Sequence, residues 1–153
     1  MSNTIFEMIG SDGILLEEGH LNDVVKKISQ SYGSGERDDH SKFFKNNWMP
    51  FAMAALIGFR ENMSRPLRTP IKKDVFKYTN INSGSRQLFE LLILNVVNIV
   101  GHEVLKDKSK IKKTIEEHAN GGFDYLRDQI NDDSKFLADI DYLDFLRKYQ
   151  EIK

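Results

Sequence analysis

His102-Glu103-Val104-Leu105-Lys106 is the stretch of this chain that comes nearest to a catalytic signature. Two histidines four apart on a helix, with a glutamate after the first, hold zinc and activate water. Here Lys106 stands where the second histidine belongs, and an ammonium repels the metal, so the match fails. The other histidines are His20, His40 and His118. His118 follows Glu116 and Glu117 in a helical pattern and is expected on an exposed surface. Asp38, Asp39 and His40 form the best hard-metal set, in a segment rich in Gly, Ser and opposite charges. They support a minor reading as a metal-dependent nuclease that draws further acids from elsewhere.

"GSGERDD" lacks the Gly-Lys-Ser/Thr ending of a phosphate loop, and no G-x-S-x-G elbow occurs. The chain has no cysteine, which excludes disulfides, thiolate metal sites and thiol catalysis. No catalytic, metal-binding or cofactor-binding residue is assigned, no cofactor is expected, and a non-enzymatic role is the expectation.

The cations are more informative. Formal net charge is −1, so no global field draws in nucleic acid. Residues 59–77 nevertheless hold six Lys or Arg (Arg60, Arg65, Arg68, Lys72, Lys73 and Lys77) against Glu61 and Asp74. A second basic run, "KDKSKIKK", includes Lys110, Lys112 and Lys113. Phosphate contacts through Arg65, Arg68, Lys72 and Lys73 are one reading, since arginine offers paired donors to a phosphate. Solvation of a proline-rich loop is the other. Folding of the second run beside the first would favour the phosphate reading.

Helices must position these groups. Leu21, Val24, Val25 and Ile28 recur at helical spacing over His20–Gln30, and a mobile loop is expected at 31–44. A helix over Asn46–Met63 places Trp48, Phe51, Ala55 and Phe59 on one face, with Gly58 thinning its flank. Pro66 and Pro70 are expected to end it and to leave a basic connector at 64–73. "TNINSGS" reads as loop. Residues 86–100 are apolar nearly all round and predict a central helix, with a strand as the alternative for their β-branched end. A helix over Ser109–Ile130 contains Gly121-Gly122, which predicts a kink or a close backbone contact. A last helix follows "NDDS". The whole, residues 1–153, is expected to be one all-α domain of five to six helices with a long central hydrophobic helix. "MSNTIFEMIGSDG" does not read as a signal peptide, and "LFELLILNVVNIVG" is too short and polar to span a bilayer, so a cytoplasmic protein without membrane contact is expected.

Two stretches together resemble the Dnd system-associated protein 4 family, small proteins encoded near DNA phosphorothioation and its linked restriction genes. "MPFAMAALIGFRENMSRPL", residues 49–67, matches an aromatic-and-alanine helix with Gly58 and Phe59 followed by a basic turn. "EEHANGGFDYLRDQI", residues 116–130, matches the family's Ala119-Asn120-Gly121-Gly122 segment. The family's turn commonly carries adjacent arginines, whereas Met63-Ser64 here precede a single Arg65.

The resemblance implies an accessory role in antiviral defence linked to modified DNA. Its partners would be other components of a modification and restriction system, DNA, or a second copy of the chain. The expected binding residues are Arg60, Arg65, Pro66, Arg68, Lys72, Lys73, Lys110, Lys112 and Lys113. A sharper variant has Pro66 and neighbouring apolar atoms touch the sulfur of modified DNA. The rival reading is an interaction or oligomerisation module that never meets nucleic acid.

Overall fold

Helices begin and end where the sequence supplies the chemistry, and the computed structural model shows five such termini. It describes residue 9 and residues 12–26, 48–68, 70 and 77–132. Helix α1, Glu18–His20, runs on as a π-helical turn over Leu21–Val25. Helix α2 spans Trp48–Arg60, α3 Tyr78–Gly84, α4 Arg86–Val100 and α5 Lys108–Asp132, with a 3₁₀ turn at His102–Lys106 before α5. The fold is all-α, and among the described residues extended pairing is limited to isolated antiparallel bridges at Gly13–Lys77 and Glu17–Pro70.

The prolines do not end α2. Asn62 takes a left-handed conformation at φ 54°, and the Met63 amide closes back on the Gly58 carbonyl at 2.8 Å. This six-to-one bond is the Schellman stop, and asparagine is the commonest substitute for glycine at its left-handed position. The helix therefore finishes before Pro66, and the connector leaves it already turned.

"TNINSGS", expected as loop, lies mostly in α3. Its reason is local, because the Asn80 side chain accepts the Lys77 amide at 2.6 Å and holds the first turn. Ser85 then caps α4 through its hydroxyl, which accepts the Leu88 amide at 3.2 Å. Gly101 at φ 103° ends α4, and Asp107 caps α5 by accepting the Lys110 amide at 3.1 Å.

The core is built on α2 and α5, the most extensively packed pair. Every residue from Pro50 to Gly58 is buried, so α2 is the enclosed hydrophobic helix. Helix α4 packs through Phe89, Leu92, Ile93 and Val96, while Leu94 and Ile99 are 58% and 53% exposed. It lies at the edge and not at the centre, because its neighbours are mainly the short α3 and the 3₁₀ turn. Phe51 meets the Tyr78 ring edge-on at 6.4 Å, and Tyr78 stacks with Phe89 at 6.1 Å, which ties α2, α3 and α4 into one aromatic cluster.

The expected mobile loop at 31–44, the candidate metal set Asp38, Asp39 and His40, the cations Lys72 and Lys73, and the last helix after "NDDS" lie outside the described residues.

Candidate functional site

Arg65 is the pivot of the connector. Its guanidinium spans two carboxylates from different elements: Nε donates to Asp124 at 2.6 Å and Nη2 at 3.0 Å, while Nη2 and Nη1 reach Glu17 at 3.2 and 3.4 Å. Backbone bonds complete the clamp. The Arg65 amide donates to the Glu117 carbonyl at 3.0 Å, and the Arg68 amide to the Glu17 carboxylate at 2.8 Å. Asn120 donates its side-chain amide to the carbonyls of Arg65 at 3.0 Å and Pro66 at 3.2 Å. Residues 65–68 are thus held on both edges by α5 and by the segment entering α1.

His20 closes the cluster from below. It is buried, stacks on Phe123 at 5.1 Å, and has Nε2 at 2.7 Å from the Asn120 side-chain oxygen. Because the Asn120 nitrogen is committed to backbone carbonyls, its oxygen must accept, so His20 carries its proton on Nε2. Nδ1 is then a buried acceptor with no protein partner. Burial holds the imidazole below its ordinary pKa despite Asp124, Asn120 and Glu17 nearby, so the ring is neutral. Glu17 shows the opposite balance. Burial alone would raise its carboxyl, but the Arg68 amide, the Arg65 guanidinium and Asn120 outweigh it and hold the group below the ordinary range. Asp124 and Glu17 in turn hold Arg65 above its ordinary value against burial.

Close backbone approach makes this clamp reachable. A Cβ on Gly122 would overlap the Ala54 carbonyl, and a Cβ on Gly58 would overlap the His118 carbonyl. Each glycine therefore admits the backbone of the other helix. A Cβ on Gly121 would lie 2.5 Å from the Met63 carbonyl oxygen, so the residues after α2 are also laid directly on α5. The expectation of a close contact at Gly121-Gly122 is met, with a separate contact for each glycine.

Beside the clamp is a shallow pocket of about 430 Å³, lined by Leu15, Pro66, Leu67, Pro70, Lys113, Glu116 and Glu117. The two basic stretches meet here, with Pro66, Leu67 and Pro70 from the connector facing Lys113 from the second run. Glu116 is 6% exposed, and one of its oxygens accepts the Tyr78 hydroxyl at 3.0 Å and the Leu15 amide at 3.1 Å. Burial raises its pKa from 4.5 to about 7, although those two donors and Lys112 pull the other way.

The family described as DNA sulphur modification system-associated protein 4 matches residues 24–151, most of the chain. The chain belongs to that family. No curated protein and no solved structure matches it. The family's description ties the chain to a DNA sulphur modification system as an associated protein.

Within this family member, Ala119-Asn120-Gly121-Gly122 divides its labour. Ala119 is buried, Asn120 catches the connector, Gly121 admits Met63, and Gly122 admits Ala54. Phe59 stacks on His118 at 4.3 Å. His118 is buried, not exposed as its acidic neighbours suggest, because its Nδ1 donates to the Thr114 carbonyl at 2.7 Å and the ring lies under Phe59.

The predicted binding residues of this family member fall into distinct settings. The cation of Arg65 is turned inward to Glu17 and Asp124, and Lys112 bonds Asp12 at 3.1 Å. Arg60 lies at the end of α2, 3.6 Å from Glu61. Pro66, Arg68, Lys110 and Lys113 are exposed. Among the described residues no group of three or more His, Asp or Glu is placed to hold a metal, and no helix is long and apolar enough to cross a membrane.

Sequence reasoning missed Glu17, His20, Tyr78, Glu116 and Asp124. Their partners lie 38 to 103 residues away, so no local spacing marks them. The one available signal was Asn120 in mid-helix, where a residue that favours caps and turns calls for a tertiary partner.

Proposed function

We propose that this chain is a non-catalytic accessory component of a DNA sulphur modification and restriction system. It presents a preorganised basic loop to the DNA backbone. Arg68, Lys110 and Lys113 meet phosphates, with Lys72 and Lys73 following in the chain. Arg65 and Lys112 act by positioning, because their cations are held by Glu17, Asp124 and Asp12. The observation that carries the reading is the clamp on residues 65–68. A surface loop tied by amides, carbonyls and a bridging guanidinium loses little entropy on binding, so its exposed cations are worth more.

Binding of the purified protein to a plain duplex across a salt series tests this. Each cation that displaces a counterion contributes a slope of about −0.9 in log affinity against log salt. The Arg68→Ala/Lys110→Ala/Lys113→Ala variant should flatten the slope by roughly 2 to 3. An unchanged slope, or no binding at low salt, would remove DNA from the proposal.

A second reading rests on α4. Leu94 and Ile99 on α4 and Leu105 on the 3₁₀ turn after it are 58%, 53% and 41% exposed, a set of large apolar side chains left open to solvent among the described residues. It supports a protein-contact or self-association module. That reading expects sedimentation to show association that salt leaves intact and that Leu94→Lys/Ile99→Lys abolishes.

A further inference from the structure

The pocket beside the clamp has an unusual wall for an anion site. Anion sites are ordinarily lined with free backbone amides, which donate to oxygen. Here the amides of Arg65 and Arg68 are committed to the Glu117 carbonyl and the Glu17 carboxylate, and that of Leu15 to Glu116. Pro66 and Pro70 have no amide hydrogen to offer. The rest of the lining is the apolar surface of Leu15, Pro66, Leu67 and Pro70, with Lys113, Glu116 and Glu117 as its charged groups. Arg68 is exposed between Leu67 and Pro70.

Such a wall solvates a phosphate oxygen poorly. A sulfur in the same position is larger, more polarisable and a weaker hydrogen-bond acceptor, so it loses less water and gains more dispersion contact against proline and leucine. The linkage still carries one negative charge, which the Lys113 ammonium complements. We propose that this pocket receives the sulfur of a phosphorothioate linkage in DNA, with Leu15, Pro66 and Leu67 against the sulfur and Lys113 against the non-bridging oxygen. The inference rests on the DNA-binding reading above and adds the ligand class.

Two acids bear on it. Glu117 is half-buried on the pocket wall and opposes the charge, and Lys113 on the same wall offsets it. Glu116 belongs to the wall as well, but with a pKa of about 7 it carries less than a full charge near neutrality, and its oxygen is already occupied by Tyr78 and Leu15.

The test compares two duplexes of one sequence, one plain and one carrying a single phosphorothioate in each strand, at several salt concentrations. Wild type should favour the modified duplex by about tenfold, the effect expected of one buried sulfur-sized apolar contact. Leu15→Ser and Leu67→Ser, made separately and checked for unchanged thermal melting, should reduce the ratio of modified-duplex to plain-duplex affinity to near unity. Lys113→Ala should weaken both duplexes together. Equal binding of the two duplexes by wild type would overturn the sulfur pocket and leave the DNA-binding reading standing. Retention of the preference in both serine variants would also overturn it. Failure to bind either duplex at low salt would remove both proposals together.

Discussion

Gly122→Ala should destabilise the protein by about 3 kcal/mol, even though alanine is the better helix former by roughly 1 kcal/mol. The added Cβ would overlap the Ala54 carbonyl, which is backbone inside the buried stretch 50–58 of α2. No rotamer change relieves a collision between a Cβ and a main chain. Helices α2 and α5 must separate, and that separation opens the packing around Phe51 and Phe123, whose rings lie 6.4 Å apart. Gly58→Ala meets the His118 carbonyl from the other side and should behave alike. Gly19 is the control, since nothing lies within 4 Å of its Cβ position, and alanine there should be neutral or slightly stabilising. Thermal melting decides the matter: a loss of roughly 10 °C in Tm is expected for Gly122→Ala and none for Gly19→Ala. Equal Tm values for all three would mean that the helices do not cross this closely.

The second large effect is a pH dependence centred on Glu116. Its folded pKa of about 7 lies above the ordinary 4.5, so between these values the folded state holds the proton more tightly than the unfolded chain. Unfolding free energy from this group is therefore greatest below about pH 4.5 and falls as pH rises through 7, by about 3 kcal/mol in all. Two other buried groups slope the opposite way. His20 has a depressed pKa and costs stability as pH falls below about 6.5, and Glu17, held below its ordinary range, loses its contribution in stronger acid. The difference between wild type and Glu116→Gln cancels both. Glutamine keeps an oxygen for Tyr78 and Leu15 and cannot ionise. Denaturant unfolding should find the variant the more stable protein at pH 8, with the gap closing or reversing by pH 5. A gap that does not change with pH would show that Glu116 titrates normally.

The helical architecture was legible because it depends on near neighbours. The period of Leu88, Leu92 and Val96 marks α4 at Arg86–Val100 as observed, and the long stripe from Ile111 to Leu126 marks α5. The end of α2 was misplaced because a left-handed Asn62 is a weaker local signal than two prolines. The first turn of α3 was missed for a similar reason. Asn80 is turn chemistry by type, yet here it holds the first turn of the helix.

Enclosure was the harder property. Helix α4 carries the larger aliphatic side chains, but α2 is the helix the fold surrounds, because its alanines and Gly58 let α5 approach its backbone. Composition measures how much apolar surface an element offers. Packing density is decided by how closely the neighbours can come.

By itself, the sequence determined that this is an all-α chain without cysteine chemistry, that two basic stretches exist, and that Gly121-Gly122 demands a close contact. Only the tertiary structure decided what the charges do. Arg65, the first cation of the connector and its expected phosphate ligand, is turned onto Glu17 and Asp124, while Lys113 is brought to the same pocket as Pro66. The physical reason is that a helix period is set by residues three and four apart, whereas an ion pair's burial and partner are set by residues 48 and 59 apart in the chain.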